Sequence, residues 1–187
     1  MAKINAQIIK GFNFRKIESE LKRALPMSVN AAAAVVIQDI KRGISGGRDI
    51  KGKPFKKLKA GTIHSKAARG SDTPRIALSD TGMMKNVYRK VRATKSKPQA
   101  IIIPPKKRAE IALYHQKGTR RHKVTAGKGK AIPLYTSTGQ LFFRKSAMAG
   151  PVPKREWFGI SKKAKEKCQS THRRVVGDVL RRVWYGR

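Results

Sequence analysis

Four histidines (His64, His115, His122 and His172), the single cysteine Cys168 and ten carboxylates are the side chains that could carry acid–base, nucleophilic or metal chemistry. The histidines show no metal-ligand spacing, and no cysteine pair accompanies them. The carboxylates are too dispersed for an acid–base dyad or a two-metal nuclease centre. His115, within Tyr114-His115-Gln116-Lys117-Gly118, could act as a ligand or general base, but the sequence offers it no partner for either role. It reads as a histidine packed at a strand end near a subunit contact. Gly127-Lys128-Gly129-Lys130 has half of a phosphate-binding loop, but Ala131 follows where Ser or Thr is needed, and a strand follows where a helix is needed. Asp80-Thr81-Gly82 matches the aspartic-protease triplet in one copy only, and that chemistry needs two carboxylates sharing a proton. We expect no enzymatic activity, no cofactor and no bound metal.

Charge is the stronger signal. The 187-residue chain carries 45 Lys and Arg against 10 Asp and Glu, a formal charge of +35. Self-repulsion on that scale disfavours a lone compact monomer and is relieved by a polyanion or by acidic neighbours. From Ile111 to Arg155 there is no Asp or Glu. Lys117, Arg120, Arg121, Lys123, Lys128 and Lys130 are the expected contacts to DNA or to an acidic partner. Hydrophobic content is 39%, below the usual share for a compact domain, so charged segments outside the core are expected. One cysteine allows no internal disulfide, which fits a reducing compartment. No apolar run approaches the roughly 20 residues of a membrane span, and residues 1–11 lack the features of a signal peptide. A protein made in the cytosol, with no membrane partner, is the expectation.

The elements that must position these residues follow from periodicity. Phe14, Ile17, Leu21 and Leu25, then Val29, Ala32, Ala33, Val36, Ile37 and Ile40, predict a helical hairpin or kinked helix pair over roughly 12–43, broken at Pro26 and ended by Gly43 and Gly46-Gly47. Residues 44–77, rich in Gly, Lys, Pro and Ser, read as a long loop, a flexible arm or a segment ordered only by its neighbours. Ser79, Asp80 and Thr81 predict a helix start, with Met84, Val87, Tyr88 and Val91 on one face. Gln99–Ile103 reads as a buried strand. Glu110–Tyr114 is a strand or a short helix. Gly118–Lys130 is a basic loop, and Ala131–Tyr135 with Gln140–Phe143 form a hairpin through a glycine turn. Ser161 caps a last amphipathic helix with Ala164, Cys168, Thr171, Val175, Val176, Val179, Leu180 and Val183 on its apolar face. That face could also suit a membrane surface, but its valines favour protein packing.

Four motifs in fixed order then define a resemblance: Gly52-Lys53-Pro54-Phe55 with Leu58 and Thr62; Leu78-Ser79-Asp80-Thr81-Gly82-Met83; Tyr114–Gly118; and Pro153-Lys154-Arg155-Glu156-Trp157-Phe158-Gly159-Ile160-Ser161. Together they resemble the tailed-phage virion morphogenesis family, the tail-completion and head–tail joining proteins of the phage neck. The chain departs from that pattern at Met83, where Leu is commoner, and in a longer basic stretch over 118–151. The resemblance implies an α+β fold: a small, mostly antiparallel sheet flanked by N-terminal and C-terminal helices, with long basic loops. It implies one domain over 1–187, with an arm at about 44–77 and a basic loop or hairpin insertion at about 118–151.

The function it implies is a structural virion protein of the neck, a homo-oligomeric ring that completes the tail or joins it to the head around the DNA channel. Its partners would be further copies of itself, other head, connector and tail proteins, and DNA in the channel. Its place would be the virion, with the host cytoplasm during assembly. Phe55, His115, Gln116, Arg155, Trp157 and Phe158 are the expected subunit-contact residues, although for Trp157 and Phe158 a core role, stapling the last helix onto the sheet, is the favoured reading. The other reading of the charge is a sequence-independent nucleic-acid-binding protein of ribosomal or nucleoid type.

Overall fold

The computed structural model describes residues 14–80, 82–86, 88–104 and 109–185. Thr81 and Val87 of the predicted second-motif helix lie outside them. Helix α1 runs from Phe14 to Ser45 without a break. The predicted hairpin at Pro26 is therefore one helix, with the proline ring buried inside it. Ala24, Ser28, Ala33, Val36, Ile40 and Ile44 recur on its buried side at helical spacing. Gly47 ends it in the left-handed region (φ 62°), the conformation glycine adopts at least cost.

Helix α5, Lys162–Tyr185, lies along α1. Ser161 Oγ accepts the N–H of Ala164 at 3.0 Å, the predicted cap. Two cross-links set the register. Ser28 Oγ lies 3.0 Å from His172 Nδ1, and the Cys168 thiol donates to the Ala32 carbonyl at 3.5 Å. Because 28 meets 172 while 32 meets 168, the helices run antiparallel. Burial, with Asp39 nearby, raises the Cys168 pKa, so the thiol stays protonated.

Between these helices the chain is α+β, and its strands form separate two-stranded antiparallel sheets. Residues 44–77 are not a free arm: helix α2 spans Ala60–Ala68, and Lys66 within it is buried. The second motif opens a helix of one turn, α3 (Met83–Asn86), and Val91 belongs to strand β1 (Arg89–Val91) instead. Strand β2 (Ile101–Ile103) pairs with β1, and Ile101 and Ile103 are exposed while Ile102 reaches the core. Gln99–Ile103 is thus half-covered, because a two-stranded sheet buries one face only. Asn30 of α1 docks this pair, donating to the Ala93 carbonyl and accepting its N–H at 3.1 and 3.0 Å.

Helix α4 (Ala109–Lys117) resolves the ambiguous Glu110–Tyr114 segment. The expected basic loop 118–130 contains strand β3 (His122–Thr125). The predicted hairpin is present as β4 (Ile132–Tyr135) and β5 (Leu141–Arg144), with Gly139 at φ 90°. Strand β6 (Ser146–Ala149) returns to pair with β3. The core gathers Val36, Ile40, Ile44, Leu78, Met84, Ala112 and Trp157, with Phe55, Tyr88 and Phe158 against it. None of the described helices is long and apolar enough to cross a membrane.

Candidate functional site

All four motifs converge on one centre. In the first, the Asp49 carboxylate accepts the N–H groups of Lys51 and Lys53 at 2.9 and 2.8 Å, and Gly52 supplies φ 80°. This closes a tight Asx-type turn. The turn then meets the fourth motif. The Ile50 N–H donates to the Glu156 carbonyl at 2.8 Å, and the Glu156 carboxylate bridges Lys154 (2.6 Å) and Lys51 (3.1 Å). Those two ammonium groups, Lys154 first, push the Glu156 pKa down to about 2. Phe55, just beyond the turn, packs against the core.

The third and fourth motifs are joined as closely. Gln116 clamps Phe158 at two points: its Nε2 donates to the Phe158 carbonyl and its Oε1 accepts the Phe158 N–H, both at 3.1 Å. The Arg155 N–H donates to the His115 carbonyl at 2.7 Å, and its guanidinium donates to His115 Nδ1 at 3.1 Å. His115 is therefore a neutral acceptor. Burial, then the adjacent guanidinium, lowers its pKa to about 4. A neutral ring that already accepts a hydrogen bond from a cation is a poor general base. Gly118 follows because a Cβ there would come within 3.0 Å of the Lys154 nitrogen. Trp157 is buried, stands edge-on to Phe158 (centroids 5.4 Å apart) and directs Nε1 at the Ala112 carbonyl, while Tyr88 stacks on Phe158 at 6.3 Å.

The second motif closes the remaining side. Leu78 is buried and adopts φ 65°, a conformation that costs an L-residue about 1–2 kcal/mol. Lys66 holds it there. Its buried ammonium donates to the carbonyls of Thr73 (3.0 Å), Ile76 (2.6 Å) and Ser79 (2.7 Å). Desolvation lowers the Lys66 pKa, with Asp80 opposing. A cavity of about 250 Å³ remains between Lys66 and Leu58, Thr62, Leu78 and His115, the last four drawn from three of the motifs.

Of the expected subunit-contact residues, Arg155 and Trp157 are buried, and Phe55, His115, Gln116 and Phe158 are half-buried around them. The hydrogen bonds and ring contacts described above join them to one another and to the core of this chain. The strand-end position expected for His115 is the last turn of α4 instead. Among the described residues, no three His, Cys, Asp or Glu gather as a metal site.

The expected polyanion contacts fare differently. Lys117, Arg120, Arg121, Lys123, Lys128 and Lys130 are all exposed. The pairing explains how they are presented. Thr119 bridges Val152, β3 pairs β6 inside that bridge, and β4 pairs β5 inside that. The result is two nested two-stranded ribbons, the inner one closing on the turn 136–139. Its tip leans on α2: His64 Nε2 lies 3.2 Å from the Ser137 carbonyl, and Gly61 lies so close to the Tyr135 carbonyl that a Cβ would overlap it. The sequence reading missed Arg144 and Lys145, which the return strand brings beside the basic loop. The Ala126 N–H donates to the Lys145 carbonyl at 2.8 Å. It also missed the Lys66 latch, because a lysine in a polar stretch gives no sign of burial.

No protein-family model matches the chain, and neither a search of curated proteins nor one of solved structures returns a match.

Proposed function

We propose that this chain is a structural protein of the tailed-phage neck, a homo-oligomeric ring component that completes the tail or joins it to the head around the DNA channel. The observation that supports this reading is the convergence of the four motifs. Segments far apart in sequence, singled out for their resemblance to that family, meet in one packed centre. Their side chains make turns, clamps and core contacts, as expected of motifs that specify a scaffold and not a reaction. In this reading the chain has no catalytic role and no cofactor. It works by shape, with other head, connector and tail proteins as partners. It resides in the virion and, during assembly, in the host cytoplasm.

The test is quantitative mass spectrometry of purified particles with heads and tails separated. A few copies per particle in the neck or tail fraction is the expected result. Absence from particles would refute the proposal. The acid-free basic ribbon favours a second reading, sequence-independent nucleic-acid binding outside any particle. Recovery of the protein on intracellular nucleic acid, with none in particles, is the outcome that selects it.

A further inference from the structure

We infer that the ribbon pair spanning β3 to β6 binds single-stranded nucleic acid, with cations along the phosphates and Phe143 stacking on an unpaired base. The inference rests on the second reading above, in which the ribbon meets nucleic acid, and not on particle membership.

The register decides which side chains face outward. Cross-strand partners share a face, so Pro133 with Phe143 and Tyr135 with Leu141 form one face of the tip. Phe143 and Leu141 on that face are 60% and 47% exposed. Phe142 turns to the opposite face, where the Arg144 guanidinium sits 5.5 Å from its ring centroid. That contact holds Arg144 on the face opposite Phe143, at the edge of the ribbon. Lys145 follows at the bend, and the paired strands carry Lys123 opposite Met148, both exposed. The ribbon thus carries exposed cations and bare apolar side chains along its length.

The apolar component discriminates between ligands. A duplex turns phosphates outward and keeps its bases stacked, so Phe143 would gain little on its surface. An unpaired strand offers phosphates and free base faces together, and base–aromatic stacking is tolerant of sequence. A second copy of this chain is a poor occupant. It brings 10 acids and 45 bases of its own, and Glu18, Asp80, Glu156 and Asp178 are already in ion pairs.

The experiment uses the full chain with a fluorescein-labelled oligothymidylate and with a blunt duplex of equal length, read by anisotropy across a salt series. The single strand should bind more tightly, with a log–log salt slope of about −4 for six phosphate contacts. Phe143→Ala should weaken single-strand binding about tenfold and leave duplex binding unchanged. Phe143→Tyr, which keeps the ring, should restore it. Phe143 is exposed, so both variants should fold, and circular dichroism checks this. Equal affinity for duplex and single strand overturns the inference, as does single-strand affinity indifferent to Phe143→Ala. Failure to bind either probe overturns it too, and directs attention to an acidic protein partner. None of these outcomes bears on whether the protein is found in particles.

Discussion

Two buried polar residues hold the motif centre, and each makes a measurable claim. His115 ordinarily titrates near 6.5, and the fold lowers it to about 4. As pH falls, the unfolded chain therefore takes up this proton before the folded chain does. The stabilising effect is present above pH 6.5 and is lost as pH falls toward about 4. After discounting for the ring's remaining solvent contact, the loss should be about 2 kcal/mol. Glu156, with its pKa pushed the same way, adds a loss only below its ordinary 4.5, so the interval from 6.5 to 4.5 isolates the histidine. Urea unfolding at several pH values should show the slope there, and His115→Gln, a neutral acceptor, should abolish it. Lys66 is the second case. Lys66→Met keeps the stem but removes three charge-assisted hydrogen bonds, leaving the Ile76 carbonyl without a donor while the Thr73 carbonyl keeps the Ile76 N–H and the Ser79 carbonyl the Thr73 hydroxyl, and should destabilise by about 2 kcal/mol in urea unfolding. An unchanged midpoint would mean that Leu78 holds its left-handed conformation without the latch.

At the scale of elements, the contact between ribbon and α2 depends on a missing side chain. Gly61 lets the Tyr135 carbonyl lie against the helix. Gly61→Val should lift the tip away and loosen the backbone around the already exposed Arg144 and Lys145, where trypsin cuts. Limited proteolysis should show faster cleavage there, while α1 and α5 stay intact. Nothing in the sequence near Gly61 announced this contact, because it joins α2 to a strand some seventy residues on. Elements with a repeating apolar period were legible: the Val36–Ile40 stripe, the α5 face and its Ser161 cap, and the β4–β5 hairpin with its glycine. Pro26 misled because the helix continues through it with the ring buried. Trp157 was readable as internal, because a large aromatic at a helix junction favours a core role, whereas nothing in the sequence showed Arg155 buried against His115. Lys117 through Lys130 were correctly expected to face outward, since an acid-free run of cations cannot be buried.

For the whole molecule, +35 on one chain is a standing repulsion. Screening shortens its reach, with a Debye length of about 10 Å at 0.1 M salt. Added sodium chloride should therefore raise the melting temperature of the isolated protein by several degrees, as followed by calorimetry. A flat response would mean that the charges are spaced widely enough to ignore one another. The nested ribbons have a kinetic consequence as well. Each pair formed shortens the loop that the next must close, so they can zip outward from the turn 136–139. The α1–α5 pairing has no such ladder: Ala32 must find Cys168, 136 residues away, in one closure. Folding should thus begin at the tip and finish at the helices. A nascent chain halted before Lys162 would carry a finished ribbon beside an α1 whose Ser28 face is still uncovered.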